Sequence, residues 1–537
     1  MKKLVSRFMA VLMAMTMILS MSMTAFAADA SKGTLTVNNT VAGKTLDLYQ
    51  IFTATKNGDN VAYTLNSAYE GFFQSKITDA STLTGEALSE KAYAYVKEQV
   101  GETGSNGAAF AKDILGWILS ASGETKTAVE STHSTATTAD TKTVIDNLAY
   151  GYYVVYPLGA TDTSTAPGNE TVKSVASLVS VTGTDATVNM KSNYPTVVKK
   201  VNDKIADDVN IGDTVTYTLT SKVPDMTGYT SYVFNFKDTL SAGLTFKEIT
   251  SVTVGDTTIT KVDAGQEANN TYTLTQDGQN ITITMNNFLD SNKDNTGKEI
   301  KVTYTATLNK DAVTGFDANK NSATVEYSNK PGTDNKGESE PSIVDVHTFN
   351  FTIFKYYLKD AAKTGLANAE FELYKANGEV AGDKVNIKKV TDGEYRVATS
   401  EEAAAEGFKS DVIVSGNNGK VLVKGLDAGT YYLRETKSPE GYNKLLSDIK
   451  VEIKPVYDDT TGKLTSYSVD YTYNGTTTTG TEIKDTTTSP EVAVENKTGA
   501  QLPSTGSKGA LMVTLAGIVL FGALTASKAF GKKKANN

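Results

Sequence analysis

Two sets of three polar residues stand where alternating strands should face a core, and each set holds an amine, a carboxyl group and a side-chain amide. From Val197 to Asn202, period-two alternation puts Val197, Lys199 and Val201 on one face and Val198, Lys200 and Asn202 on the other, so Lys199 is the inward lysine. Phe234, Phe236, Asp238 and Leu240 likewise share a face, as do Asn321, Ala323, Val325 and Tyr327. The pattern recurs downstream. Phe349, Phe351, Ile353, Lys355 and Tyr357 form one face, Tyr431, Leu433 and Glu435 a second, and Val492, Val494 and Asn496 a third. A charged lysine or carboxylate in an apolar interior is costly unless paired or neutralised. Desolvation lowers a lysine pKa and raises that of a carboxyl group, so a buried trio can hold a neutral amine beside a protonated acid. Such an amine can attack an asparagine carbonyl while the acid hydrogen-bonds the oxygen and shuttles protons. Ammonia leaves and a Lys–Asn amide remains. The alternative is that the lysines reach a strand edge and the acids form ordinary ion pairs.

The elements that must position these residues are strands. Runs such as Thr214-Val215-Thr216-Tyr217-Thr218-Leu219 recur between Gly, Asn and Asp turns, which predicts an all-β chain of tandem β-sandwiches, of the immunoglobulin-like kind that the family resemblance given below implies. After its ends are set aside, the chain of 537 residues suits three domains: Ala28 to Ser192, Asn193 to Ile343 and Val344 to Lys497, with residues 498–537 as a tail. A turn-rich stretch, Gly332 to Gly337, lies near the second boundary. In the first domain Leu88, Ala92, Val96 and Val100, then Phe110, Ile114, Leu115 and Ile118, have helical spacing, which predicts a helical insertion over Leu88–Leu119 holding Trp117, the only tryptophan, as a core residue. This domain offers no convincing trio of its own.

Composition narrows the function. Net charge is −9 although both ends are basic, so the body is more acidic still and does not suit nucleic acid or anionic lipid. Without cysteine there is no thiol catalysis, disulfide or zinc-thiolate site, and His133 and His347 alone cannot build a histidine triad or metal cage. No metal and no cofactor is expected. Asp290-Ser291-Asn292-Lys293-Asp294 has the start of a calcium-loop spacing, but Lys301 stands where the closing glutamate belongs, so a polar hairpin turn is the better reading. Gly475 to Gly480 is a threonine-rich turn without a phosphate-loop lysine.

The ends carry addresses. Lys2, Lys3 and Arg7, an apolar stretch from Phe8 to Met23 and Ala25-Phe26-Ala27 have the layout of a secretory signal peptide over residues 1–27. Gly509 to Ala526 is apolar and long enough to cross a bilayer, and Lys528, Lys532, Lys533 and Lys534 follow it, placing the tail on the cytoplasmic side. With Leu502-Pro503-Ser504-Thr505-Gly506 just upstream, the arrangement resembles the cell-wall sorting signal of Gram-positive surface proteins. That resemblance implies a sortase that cleaves between Thr505 and Gly506, holds the Thr505 carbonyl as a thioester and passes it to an amine. The apolar segment would retain the chain in the membrane only transiently, and peptidoglycan would be the final partner.

Tyr431-Tyr432-Leu433-Arg434-Glu435-Thr436-Lys437-Ser438-Pro439-Glu440-Gly441-Tyr442 is similar to the E-box of collagen-adhesin B-type (CnaB-like) domains of Gram-positive pilins, and Gly365 to Tyr374 resembles their early strands. Ile211 to Tyr217 and Asp238 to Leu244 resemble a fimbrial isopeptide-forming domain. The resemblance implies a bond from Lys199 to Asn321 with Asp238 as catalyst, and one from Lys355 to Asn496 with Glu435 as catalyst, joining the first and last strands of each domain. It further implies a pilus shaft subunit, covalently polymerised from identical copies, not a turnover enzyme, contributing to adhesion with minor pilins and host surface proteins as further partners. Shaft pilins place a Tyr-Pro-Lys motif at the end of the first domain. Here Lys191-Ser192-Asn193-Tyr194-Pro195-Thr196 has threonine at that place, which leaves Lys191, then Lys200, as candidate intersubunit nucleophiles. The competing function is a monomeric wall-anchored adhesin binding a host or matrix protein.

Overall fold

The computed structural model describes residues 31–101, 107–120, 129–137, 141–161, 174–190 and 193–498. The secretory stretch, Lys191 and the Leu502–Gly506 motif with its apolar tail lie outside these residues. Among the described residues no helix is long and apolar enough to cross a membrane.

The alternating segments pair into six sheets, two in each third of the chain, and the result is a row of immunoglobulin-like β-sandwiches with a small helical insertion in the first. In that first sandwich Lys32–Asn38 lies between Lys142–Ala149 and Ala186–Asn189. The facing sheet runs Asn60–Leu65, Thr45–Asn57, Gly151–Pro157 and Ser177–Val181, with His133–Ala136 beside Thr45–Asn57. Leu35, Val37 and Ile145 meet Leu48, Tyr153 and Val155 between the sheets. The alternate residues Tyr152, Val154 and Tyr156 point the other way and pack under the helices. A strand between two cores has no solvent face, which is why all of Gly151–Pro157 is buried.

The helical insertion over Leu88–Leu119 is two helices, Gly85–Val100 and Gly107–Leu119, burying Leu88, Ala92 and Val96 from one and Phe110, Ile114, Leu115 and Ile118 from the other. Trp117 is only partly buried and packs against that core, its ring 5.7 Å from Phe72. Phe72 belongs to a further helix, Glu70–Lys76, which the sequence did not announce because seven residues are too few for a helical period to show.

The middle sandwich faces a sheet ordered Thr257–Thr258, Leu244–Val254, Glu299–Leu308, Thr214–Lys222 and Val198–Val201 against a larger one. That larger sheet runs Ala206–Asp208, Ser342–His347, Asn319–Ser328, Phe234–Leu240, Asn280–Met285, Thr271–Asp277 and Thr260–Lys261. The turn-rich stretch Gly332–Gly337 leads into Lys336–Glu338, which folds back to pair with Asn319–Ser328. Two expectations change here. The strand carrying Asn321 is followed by Ser342–His347, which pairs with it, so it is not the last strand of its sandwich. The segment at Asp290 is not a hairpin turn but a short helix, Phe288–Asn292. Phe288 and Asn292 fall on one helical face and are buried, with the Phe288 ring stacked 4.6 Å from Phe234.

In the last sandwich one sheet contains Ala362–Gly365, Phe349–Lys359, Lys420–Leu426, Glu394–Val397 and Ile387–Thr391, and Glu491–Glu495 pairs in parallel with Phe349–Lys359. The other contains Val380–Lys384, Glu370–Asn377, Gly429–Lys437, Ile449–Tyr457, Leu464–Tyr473 and Thr476–Thr478. Successive sandwiches touch. The Lys44 amine reaches the Tyr327 hydroxyl at 3.2 Å and lies 4.9 Å from the Tyr194 ring, and Ile211 donates its backbone N–H to the Gly425 carbonyl at 3.0 Å.

Candidate functional site

Lys199 comes from an edge strand, and the alternation that buries Val197 and Val201 buries its side chain completely, while Val198 and Lys200 stay exposed. Its amine crosses to the facing sheet and contacts Asp238 Oδ2 in a fully enclosed ion pair. Asp238 and Asn321 lie on neighbouring strands, where Asp238 is paired with Ala323 and Leu240 with Asn321, so the acid and the amide are fixed on one sheet and the amine on the other.

A fourth group completes this site, and the trio pattern gave no sign of it. Tyr304 is buried on Glu299–Leu308, in the same sheet as Lys199. The Lys199 amine donates to its hydroxyl at 2.7 Å, Asn321 Nδ2 donates to it at 2.7 Å, and the hydroxyl donates to Asp238 Oδ2 at 2.8 Å. Tyr217, paired with Tyr304 in register, stacks on it with centroids 5.1 Å apart. The alternation Ile300, Val302, Tyr304, Ala306, Leu308 put Tyr304 inside; nothing local said that its hydroxyl would meet Lys199.

The second site is assembled differently. Lys355 and Asn496 are neighbours in one sheet, because Lys355 pairs with Val494 and Asn496 donates its backbone N–H to the Tyr356 carbonyl at 2.9 Å. Glu435 reaches them from the facing sheet. Its Oε1 is 3.1 Å from the Lys355 amine and accepts from Asn496 Nδ2 at 3.2 Å, while Oε2 accepts the Leu445 N–H at 2.7 Å. The Lys355 approach is an ion-pair distance without hydrogen-bond alignment. Gly419 makes room beneath this strand. It sits at φ +76°, and a Cβ there would fall 2.2 Å from the Lys355 carbonyl oxygen, so only glycine fits. The aromatic neighbour of the amine is Phe371, 5.8 Å away, which has no hydroxyl to offer.

Burial lowers both lysine pKa values, and the adjoining carboxylates offset only part of the effect; for Lys355 the result is about 8. Four of the buried polar atoms without a hydrogen-bond partner among the described residues belong to the two sites: Asp238 Oδ1, Asn321 Oδ1, Lys355 Nζ and Asn496 Oδ1. An unsatisfied buried polar atom costs on the order of 1–3 kcal/mol. Both asparagine carbonyl oxygens are thus unengaged while an amine rests nearby, the arrangement needed before an amide exchange. Among the described residues no cluster of acidic and histidine side chains could hold a metal ion.

Two segments of the chain match known domain families. Residues 211–331 match the Gram-positive pilin backbone subunit 2, Cna-B-like domain, and residues 353–468 match the SpaA prealbumin-like fold domain. The pilin-backbone match contains Asp238, Tyr304 and Asn321 and begins after Lys199; the SpaA match contains Lys355 and Glu435 and ends before Asn496. The chain is 28% identical over 278 residues to the fimbrial subunit type 2 of Actinomyces naeslundii, covering 48% of this chain and 50% of that protein. It is 26% identical over 319 residues to the trypsin-resistant surface T6 protein of Streptococcus pyogenes serotype M6, covering 53% and 50%. The chain therefore spans about half the length of the curated relatives it matches. Among solved structures, the T6 backbone pilin of serotype M6 Streptococcus pyogenes aligns over 89% of this chain and 100% of its own at 18% identity, with a TM-score of 0.46. The group B streptococcus pilus 2b backbone protein aligns over 57% and 99% at 26% identity, with a TM-score of 0.39.

Proposed function

We propose that this chain is a structural subunit of a surface pilus, held together internally by Lys199–Asn321 and Lys355–Asn496 amide bonds. Asp238 and Glu435 act as the respective proton-transfer groups, and the chemistry occurs once per molecule. The observation behind this reading is the burial of two complete lysine, acid and asparagine sets, each overlapping one of the two segments that match domain-family models, with Lys199 just before the first segment and Asn496 beyond the second. Each bond would tie distant parts of one sandwich and shrink its unfolded ensemble, worth roughly 4 to 5 kcal/mol in the chain-entropy model. The domains are those expected from the sequence, Ala28 to Ser192, Asn193 to Ile343 and Val344 to Lys497, with the second boundary shifted to His347 because Ser342–His347 belongs to the middle sandwich. A signal peptide precedes them and the Leu502–Gly506 sorting motif follows.

In this reading a sortase cleaves after Thr505 and joins that carbonyl to an amine of the next identical subunit, Lys191 first and Lys200 second, and finally to peptidoglycan. Lys200 is exposed on the outer face of its strand and so open to an acyl-enzyme. Replacing Lys191 with alanine should abolish the high-mass ladder in wall extracts, with the wild-type linkage mapping to Thr505 and Lys191. An unchanged ladder moves the linkage to Lys200 or elsewhere. No ladder in wild type overturns the polymer and leaves a monomeric wall-anchored adhesin.

A further inference from the structure

The two sites solve one chemical problem with different parts. Making an amide from an amine and an asparagine requires a proton to leave the attacking nitrogen and another to reach the departing one. At the second site a single carboxyl oxygen, Glu435 Oε1, stands within 3.1 Å of the amine and 3.2 Å of Asn496 Nδ2, so one acid can serve both nitrogens. At the first site Asp238 contacts the amine, but Asn321 Nδ2 is hydrogen-bonded to Tyr304 instead. The Tyr304 oxygen lies 2.7 Å from both Lys199 Nζ and Asn321 Nδ2, and 2.8 Å from Asp238 Oδ2.

We propose that Tyr304 is a catalytic residue of the Lys199–Asn321 reaction, the acid that protonates the departing nitrogen. This rests on the cross-link reading above. The ammonium of Lys199 first gives a proton to Asp238, leaving a neutral amine. Nζ attacks Cγ of Asn321, a C–N bond forms and the carbonyl electron pair moves to Oδ1. The Tyr304 hydroxyl proton passes to Nδ2, Asp238 returns a proton to the Tyr304 oxygen, and Asp238 takes one from the attached Nζ. The Oδ1 pair then re-forms the carbonyl and the Cγ–Nδ2 bond breaks, releasing ammonia. Tyr304 and Asp238 end protonated as they began the attack, and nothing is oxidised or reduced.

A relay suits this hydroxyl better than ionisation would. Burial raises the Tyr304 pKa well above that of a free tyrosine, and the neighbouring Asp238 raises it further. A proton therefore leaves Tyr304 only as another arrives, and the hydrogen bond to Asp238 supplies it. Phe371 beside Lys355 shows that an aromatic ring suffices for packing where the acid already reaches both nitrogens.

The test is Tyr304→Phe in the full chain, with pulse-labelled protein digested at intervals and both cross-linked peptides quantified. General acid catalysis of this kind is worth roughly 10²–10⁴-fold in rate, so the Lys199–Asn321 peptide should form that much more slowly while the Lys355–Asn496 peptide forms on time as an internal clock. Tyr217→Phe keeps the ring stack and removes a hydroxyl that lies beside Asn321 without an aligned hydrogen bond; it should slow the first bond far less than Tyr304→Phe does and leave the second unchanged. Formation of the first bond in the wild type should also be slower in heavy water, a difference that shrinks in Tyr304→Phe and that a purely structural tyrosine would not control. A wild-type rate in Tyr304→Phe overturns the role of Tyr304 and leaves the cross-link intact. A wild type without any Lys199–Asn321 peptide overturns the cross-link and Tyr304 with it. Should the variant fail to fold, absence of a heavy-water effect on the wild-type bond is the overturning result.

Discussion

The middle and last sandwiches carry the same three residue types in the same inward phase, yet they place them on opposite sides of the core. In the middle sandwich the acid and the asparagine share a sheet and the lysine crosses to them. In the last one the lysine and the asparagine share a sheet and the acid crosses. A Lys199–Asn321 bond would therefore clamp two sheets face to face, whereas a Lys355–Asn496 bond would fasten the first strand of a sheet to its last. An inward trio specifies a chemistry but not a load path. Which strands are bound together follows from sheet topology, and so does the need for Tyr304 at one site and not at the other.

The largest effects should separate the two sites cleanly. Asp238→Ala should remove only the Lys199–Asn321 bond and Glu435→Ala only the Lys355–Asn496 bond, each lowering the stability of its own sandwich by roughly 4 to 5 kcal/mol, read as a displaced calorimetric transition. One substitution that abolished both bonds would break the comparison. Next in size is the kinetic separation expected of Tyr304→Phe, confined to the middle sandwich.

A pH series sharpens the contrast at the last site. The cross-linking amine must be neutral, so formation of the Lys355–Asn496 bond should accelerate as pH rises through about 8 and then level off. The same depressed pKa acts on stability in an Asn496→Ala chain, which cannot close the bond. Between about 8 and the ordinary lysine value of 10.5 the unfolded chain holds a proton that the folded one has lost. Stability should therefore rise with pH across that window, by up to about 1.4 kcal/mol per pH unit, and take no pH dependence from this group below it, where both states hold the proton. A flat urea-unfolding midpoint from pH 7 to 10 would show Lys355 titrating as a free lysine.

The smallest effect lies outside both sites. Lys44 stands between the Tyr194 and Tyr327 rings where the first sandwich meets the middle one, and burial lowers its pKa. Lys44→Ala should cost only about 0.5–1 kcal/mol, seen as easier proteolysis near Tyr194, with both amide bonds unaffected.

Much of this was legible in the sequence because a strand writes its orientation in alternate residues. Val197, Lys199 and Val201 declare a buried lysine without any structure, and Leu88, Ala92 and Val96 declare a helix just as directly. What alternation cannot state is which strand lies next to which. Asn321 reads as belonging to a closing strand until Ser342–His347 is seen to pair beside it. Tyr304 has an inward phase in its own strand, but its meeting with Lys199 depends on a long-range pairing through Thr214–Lys222 that leaves no local mark. The helix Phe288–Asn292 was hidden for the opposite reason: its polar residues imitate a turn, and only the tertiary stack of Phe288 on Phe234 explains why the backbone coils there.

The most direct test of the central claim is the mass of the full chain beside Lys199→Ala and Lys355→Ala. The wild type should show a deficit of two ammonia molecules and each variant a deficit of one, with cross-linked peptides joining Lys199 to Asn321 and Lys355 to Asn496. A wild-type mass equal to that of the sequence, with all four side chains recovered unmodified, would contradict it.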